Sequence, residues 1–309
     1  MSPAPAAWLR LDAFFLALVV LLAVRPRGAT RPPARALTLW VKLGAFLVVT
    51  HALLAVIACG GPWLLAAAAL AAARGSHELA AALLPPGRAF RPHRLLAMAG
   101  AVAVALAAGT SSDAAEAALV AVAVAAATLP VWLGRPAGAR AGSAAVWSAV
   151  LLAGLLPGCV VRLRASHGML APFLFVVVAL HDALAEATGR LWGRRPLAPH
   201  LSPNKTVAGL LGGLASAPLA LVAFAPLVSA PIGLLAAVAS TGAVAAAVGD
   251  LAFSAVKRDA GLKDFPALIP AQGGLLDRID GFLVAAACCD LLLRVLPAAQ
   301  VGPALLAGG

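Results

Sequence analysis

Long apolar blocks alternate along this chain with short stretches in which arginine, proline and glycine gather. The blocks fall at residues 8–24, 38–58, 61–73, 94–109, 115–134, 143–161, 168–188, 207–227, 230–253 and 279–297. A hydrocarbon core about 30 Å thick needs about 20 apolar residues of helix to cross it. Lipid offers backbone N–H and C=O groups no partner, so each segment must satisfy its own. Blocks rich in alanine and leucine therefore predict an all-α, polytopic helical membrane protein with roughly nine or ten transmembrane helices, the third block being short and the first marginal. Block 8–24 has the length of a signal-peptide core, but no small-residue cleavage site follows it, and the arginine-rich stretch beyond reads as a retained loop.

The polar stretches orient this array. Arginine-rich connections at 25–35, 74–94, 135–140, 189–205 and 254–278 share one face if there are ten helices, and Asp113 and Glu116 mark an acidic turn on the other. Two helices separate 189–205 from 254–278, which returns both segments to one side, read as cytoplasmic, where they can build one site. Arg10, Arg162 and Arg164 do not fit, because they fall on the outer face.

Composition sharpens the class. Of 309 residues 62% are hydrophobic and 11% charged, with a mean hydropathy of +0.98, more apolar than a soluble domain could be. The net charge of +11 is spread over many short loops rather than one stripe, which suits orientation and anionic lipid and argues against nucleic acid. Cys59, Cys159, Cys288 and Cys289 lie inside apolar blocks without metal spacing and read as small buried residues. The six histidines are scattered, which argues against zinc, and no P-loop, Rossmann or serine-hydrolase motif occurs in a fitting context. Only four of the twelve carboxylates lie in the first 165 residues. Residues 1–165 are thus read as amino-terminal transmembrane helices of unassigned role, and 166–309 as the region that carries chemistry.

Three groups in that region can do so. Asp250 ends an apolar helix, with Ser254 and Lys257 at i+4 and i+7 on the same face; a carboxylate there can hold a divalent cation while the lysine neutralises phosphate. Gly273 and Gly274 precede Asp277, Arg278 and Asp280, and amides freed by the glycines at a helix start can bind an anion next to metal-holding aspartates. Finally, Asp182 and Glu186 lie at i and i+4 near the end of a hydrophobic helix, followed by Arg190, Arg194, Arg195, Ser202, Lys205 and Thr206; ionisable groups inside a membrane are costly and tend to be functional. A plainer reading of each group stays open: an interfacial ion pair, a glycine turn with its helix-start aspartate, and a helix cap at Ser202-Pro203.

Over residues 170–298 the chain resembles the phosphatidate cytidylyltransferases, or CDP-diacylglycerol synthases. The resemblance rests on Gly249-Asp250, on Ser254, Lys257, Arg258, Lys263, Asp264, Pro270, Gly273, Gly274, Asp277, Arg278 and Asp280 at the family's spacing, and on Leu197, Ala198, Pro199, Ser202, Pro203, Lys205, Thr206 and Gly209. Three positions depart from it. Gln272 stands where the family has histidine, Pro266 replaces a small residue, and Asp182-Ala-Leu-Ala-Glu186 has lost the glycine and tyrosine of the usual motif.

The resemblance implies a membrane-embedded transfer of CMP from CTP to phosphatidate, giving CDP-diacylglycerol and pyrophosphate for phospholipid synthesis. It implies Asp250, Lys257, Asp264, Asp277 and Asp280 as catalytic residues. Magnesium would be held by Asp250, Asp277 and Asp280, with room for a second cation. Substrate would be bound by Ser202, Lys205, Thr206, Ser254, Arg258, Lys263, Gln272, Gly273, Gly274 and Arg278. The expected partners are CTP, phosphatidate and the lipid bilayer, with a homodimer compatible, in a multi-pass protein of the bacterial inner membrane whose site faces the cytoplasm. Another CTP-dependent transferase or kinase acting on a polyprenol, phytol or ether lipid is the alternative. A transporter fits less well, because the charges cluster at one interface and not at the midplane.

Overall fold

A computed structural model describes residues 48–134, 137–267 and 273–296. The blocks at 8–24 and at the start of 38–58, Arg10, Pro270 and Gln272 lie outside them. Among the described residues the chain is a helical bundle: α1 (Val48–Cys59), α2 (Gly61–Leu83), α3 (Arg91–Thr110), α4 (Ser112–Trp132), α5 (Ala139–His167), α6 (Leu170–Trp192), the broken pair α7 (Val207–Leu214) and α8 (Ser216–Phe224), α9 (Ile232–Asp259) and α10 (Leu276–Val295). Six spans in the described residues are long and apolar enough to cross a membrane. At 23 and 20 residues α2 and α10 have the length as well, and carry charges near their ends.

Sequence pattern explains the local structure. Pro157 has no N–H and its ring would strike the carbonyl of Ala153, so the preceding turn of α5 widens to π geometry over Ala149–Leu155. Ser111 caps α4, its side chain accepting from the Ala114 amide at 3.0 Å. A short antiparallel hairpin, β1 (Pro196–Ala198) and β2 (Ser202–Thr206), interrupts the helices, with Pro196 opposite Thr206 and Ala198 opposite Ser202. Thr206 then caps α7 by accepting from the Gly209 amide at 3.0 Å.

One apolar core runs from Leu54 to Leu293 and joins α1 to α10 across both halves of the chain. Since lipid is as apolar as leucine, such helices associate through close packing of small residues and through hydrogen bonds. One close crossing joins α9 to α10: a Cβ on Gly249 would stand 2.8 Å from Val284 Cβ, and one on Gly281 would stand 3.2 Å from the Ala246 carbonyl. Asp250 and Asp280 flank this contact. Of the cysteines, Cys159 and Cys289 are buried as expected, whereas Cys59 and Cys288 are exposed.

Side-chain contacts fix the two ends of the bundle. At one end α2, α9 and α10 meet through Glu78, Lys257 and Asp277. At the other, Arg162 of α5 binds Asp290 of α10 at 2.6 Å and the Ala108 carbonyl of α3 at 3.0 Å, while Arg294 reaches Asp290 at 2.9 Å. Arg164 donates to the carbonyls of Ile57 and Ala58 at 3.1 and 2.9 Å, closing the C-terminus of α1. Two of the three arginines that resisted the loop-charge scheme, Arg162 and Arg164, are therefore helix-end clamps, held by carbonyls and a buried carboxylate rather than free to orient the chain.

Several boundaries shift, two of them at the end that gathers the charged residues. Block 61–73 continues as helix to Leu83, because Arg74 and Glu78 neutralise each other at i and i+4 instead of opening a loop. Likewise α9 extends through Lys257 to Asp259 before the chain turns.

Candidate active site

The end of the bundle that gathers α2, α6, α9, α10 and the hairpin holds nearly every residue singled out above. Lys257, buried on the last turns of α9, donates to Asp277 Oδ1 at 2.6 Å; their side chains are only 10% and 8% exposed. Asp277 Oδ2 accepts the amides of Phe265 and Gly274, each at 2.9 Å. Gly273 makes this possible, since its φ of +77° is a left-handed conformation and a Cβ there would lie 2.7 Å from Asp277 Oδ2. Both oxygens of Asp277 are thus engaged in fastening the loop to α9 and α10. Lys257 also lies 5.5 Å from the centre of the Phe265 ring.

The amides at the start of α10 have a partner that sequence reasoning missed. Glu78 of α2, 0% exposed, accepts from Leu275 N at 2.8 Å through Oε1 and from Leu276 N at 3.0 Å through Oε2. Arg74 binds Glu78 Oε1 at 2.8 Å and the Pro266 carbonyl at 2.8 Å. The anion at this helix start is the protein's own carboxylate. One signal was available, an arginine and a glutamate four residues apart within an alanine-rich helix.

A second, more open group lies two turns earlier on the same face of α9. Asp250 pairs with Lys205 of β2, and the Asp250 side chain is 41% exposed. Asp280 is buried, its Oδ1 accepting the Gly281 amide at 2.8 Å. Lys205 of the hairpin meets Asp250 of α9, and Gly249 beside it packs on the Asp280 carbonyl of α10, while Asp182 of α6 lies near enough for its charge to act on both aspartates, so α6, α9, α10 and the hairpin gather around one polar cluster. Leu170 to His181 are all buried, yet Asp182, Glu186 and Arg190 are exposed at successive turns of α6. Glu186 and Arg190 form an ion pair. Asp182 was noted in the sequence and given no role; the fold puts it opposite Asp250 and Asp280.

The remaining candidates surround this centre. Arg258 donates to the Leu201 carbonyl at 3.0 Å and the Leu262 carbonyl at 2.6 Å, tying the end of α9 to the hairpin. Ser254 is buried one turn before Lys257, Ser202 is half-buried on β2, and Lys263, Asp264 and Arg278 are exposed. Segments 189–205 and 254–278 do meet at one end of the bundle, as helix parity requires.

The donors at hand for a divalent cation are carboxylates. Among the described residues no three or more His, Cys, Asp or Glu side chains gather at metal-binding spacing. Magnesium is held typically by one or two carboxylates, with water and substrate phosphates completing its shell. Asp250 and Asp280 would be the two carboxylates to hold such an ion, and Lys205 is the cation paired with Asp250.

Fold and charge cluster together define a polytopic helical membrane protein with a charged site at one end of its bundle, formed where a strand hairpin meets three helices. The chain belongs to the cytidylyltransferase family, whose model matches residues 40–296. It is 42% identical over 134 residues to a phosphatidate cytidylyltransferase of Brucella suis biovar 1 (strain 1330), a stretch covering 43% of this chain and 50% of that protein. Against the protein of the same name from Brucella abortus biovar 1 (strain 9-941) it is 46% identical over 116 residues, 37% of this chain and 43% of the other. A third, from Mycobacterium leprae (strain TN), is 37% identical over 125 residues, 40% of each chain. The chain spans about half the length, or less, of the curated relatives it matches.

Proposed function

We propose that this protein transfers the cytidylyl group of CTP to phosphatidate, giving CDP-diacylglycerol and pyrophosphate. The observation that carries the reading is the polar cluster of Asp182, Asp250, Asp280 and Lys205 at one end of a helical bundle in a cytidylyltransferase-family chain. Relatives of this family carry the matching name. A phosphate oxygen of phosphatidate attacks the α-phosphorus of CTP; the bond from that phosphorus to the oxygen bridging to the β-phosphate breaks, and pyrophosphate leaves. A phosphate monoester is largely ionised near neutral pH, so its oxygen needs little general-base help.

Asp250 and Asp280 would hold magnesium, which when bound neutralises charge on the phosphates. Lys205, Arg258, Lys263 and Arg278 line the approach and supply positive charge for the triphosphate. In this reading Asp277 and Lys257 keep the loop carrying Lys263 and Asp264 in place, a role the buried 2.6 Å pair supports. The site end carries Arg88, Arg91, Arg94, Arg140, Arg190, Arg194, Arg195, Lys205, Arg258 and Lys263, against Arg162, Arg164 and Arg294 at the far end. That imbalance supports a cytoplasmic site in a bacterial inner membrane.

The test is label partition with purified protein, magnesium, phosphatidate and CTP labelled at either the α- or the γ-phosphate. The reading expects α-label in lipid and γ-label in pyrophosphate. A lipid kinase would instead place γ-label in lipid and release CDP, and that outcome would replace the proposal.

A further inference from the structure

The helices before residue 165 carry none of the family's charged motif, yet one of them enters the site. Glu78 has both carboxylate oxygens on the amides of Leu275 and Leu276, and Arg74 bridges that carboxylate to the Pro266 carbonyl. Gly274 is where this contact is closest, since a Cβ there would lie 2.5 Å from Glu78 Oε2 and 2.7 Å from Phe265 Cβ. The amide of that same glycine donates to Asp277 Oδ2. One carboxylate thus fixes the start of α10 from outside, and the next fixes the loop from within.

We propose that Arg74 and Glu78 are positioning residues for the transfer: they hold the first turn of α10 so that Asp277 engages Lys257 and Asp280 faces Asp250. A buried carboxylate with no exposure is costly unless fully bonded, and here two bonds come from the start of the helix that carries Asp277 and Asp280 and the third from Arg74, which itself holds the loop at the Pro266 carbonyl. Arg74 and Glu78 bond the loop and the start of α10 rather than Asp250 or Asp280, so their effect passes through α10. This inference rests on the proposed cytidylyl transfer only for its activity readout.

The experiment compares Glu78→Gln with Asp290→Asn in the full chain, the second removing a buried carboxylate at the opposite end of the bundle. Hydrogen exchange is followed in peptides covering Phe265 and Gly274–Leu276, and in peptides of α3 and α5; turnover is measured on the folded fraction. An amide can accept from one of the two α10 N–H groups but turns an NH2 toward the other. Glu78→Gln should raise exchange at least about tenfold at Phe265 and Gly274–Leu276 alone, and lower kcat at least about tenfold, about 1.4 kcal/mol in the barrier. Asp290→Asn should do neither at that end. Uniform exchange gains across α3, α5 and α10, or an unchanged site end, would overturn the proposal and leave Glu78 a general packing residue. If Glu78→Gln does not assemble, Arg74→Lys decides by the same readings, because lysine keeps the charge beside Glu78 but cannot span both contacts. Absence of transfer by the unmodified protein would defeat the functional reading, while the exchange pattern would still decide the positioning claim.

Discussion

Replacing Asp277 by asparagine separates an anchor from a metal ligand. At 2.6 Å and an effective dielectric constant of about 20, the Coulomb attraction between Lys257 and Asp277 is about 6 kcal/mol. Desolvation of the two ions offsets most of it, so the intact pair contributes little net stability. Removing one partner is different, because it leaves the other charge buried and typically costs about 3–5 kcal/mol. The asparagine side chain would keep one carbonyl oxygen for the amides of Phe265 and Gly274 and leave the Lys257 ammonium without its anion. Asp277→Asn should therefore lower the melting temperature in detergent or nanodiscs markedly, and Lys257→Met alone should do likewise. The double variant should recover much of the loss, since the stranded charge has gone. Thermal unfolding of the four proteins yields the coupling energy. Strictly additive losses, or an Asp277→Asn protein as stable as the parent, would refute the anchoring role and return Asp277 to the list of open metal ligands.

Asp250→Asn should show the opposite balance. Its pair with Lys205 is partly exposed and worth about 0.2–1 kcal/mol, so stability should barely change while turnover drops at least about a hundredfold, about 2.7 kcal/mol of barrier. Gly273→Ala should cost about 1–2 kcal/mol from its left-handed backbone, and more from the approach to Asp277. Gly261→Ala, at φ +70° with open space around it, should incur only the backbone cost and leave turnover intact; equal effects at the two glycines would contradict the geometry. At the far end, Arg162→Ala should destabilise by on the order of 3 kcal/mol and leave kcat of the folded fraction unchanged, as measured by thermal shift and turnover together.

The spans were legible because a bilayer imposes a length, and α3 through α9 lie close to the apolar blocks. Parity alone brought 189–205 and 254–278 to one end, where Arg258 meets Leu201 and Asp250 meets Lys205. Charge was the misleading signal. Arg74 was read as the end of a span, but a charge that finds its counter-ion one turn away remains in the helix. Asp277 was expected to hold metal; what the sequence did not show is its engagement by Lys257 and two amides, which depends on how α9 and the loop fold back. Glu78 was out of reach for a simpler reason: it bonds amides 197 and 198 residues later in the chain, and spacing along a sequence carries no sign of such a contact. Arg162 and Asp290, 128 residues apart, were hidden in the same way.

The most direct test is a structure of the chain in lipid nanodiscs with manganese and a CTP analogue whose link between the α- and β-phosphates cannot be cleaved. The account predicts a triphosphate seated among the hairpin, α6, α9 and α10, the metal against Asp250 and Asp280, and the Lys257–Asp277 pair still closed beneath it. Nucleotide bound elsewhere on the bundle, or metal held by Asp277 with Lys257 displaced, would contradict it.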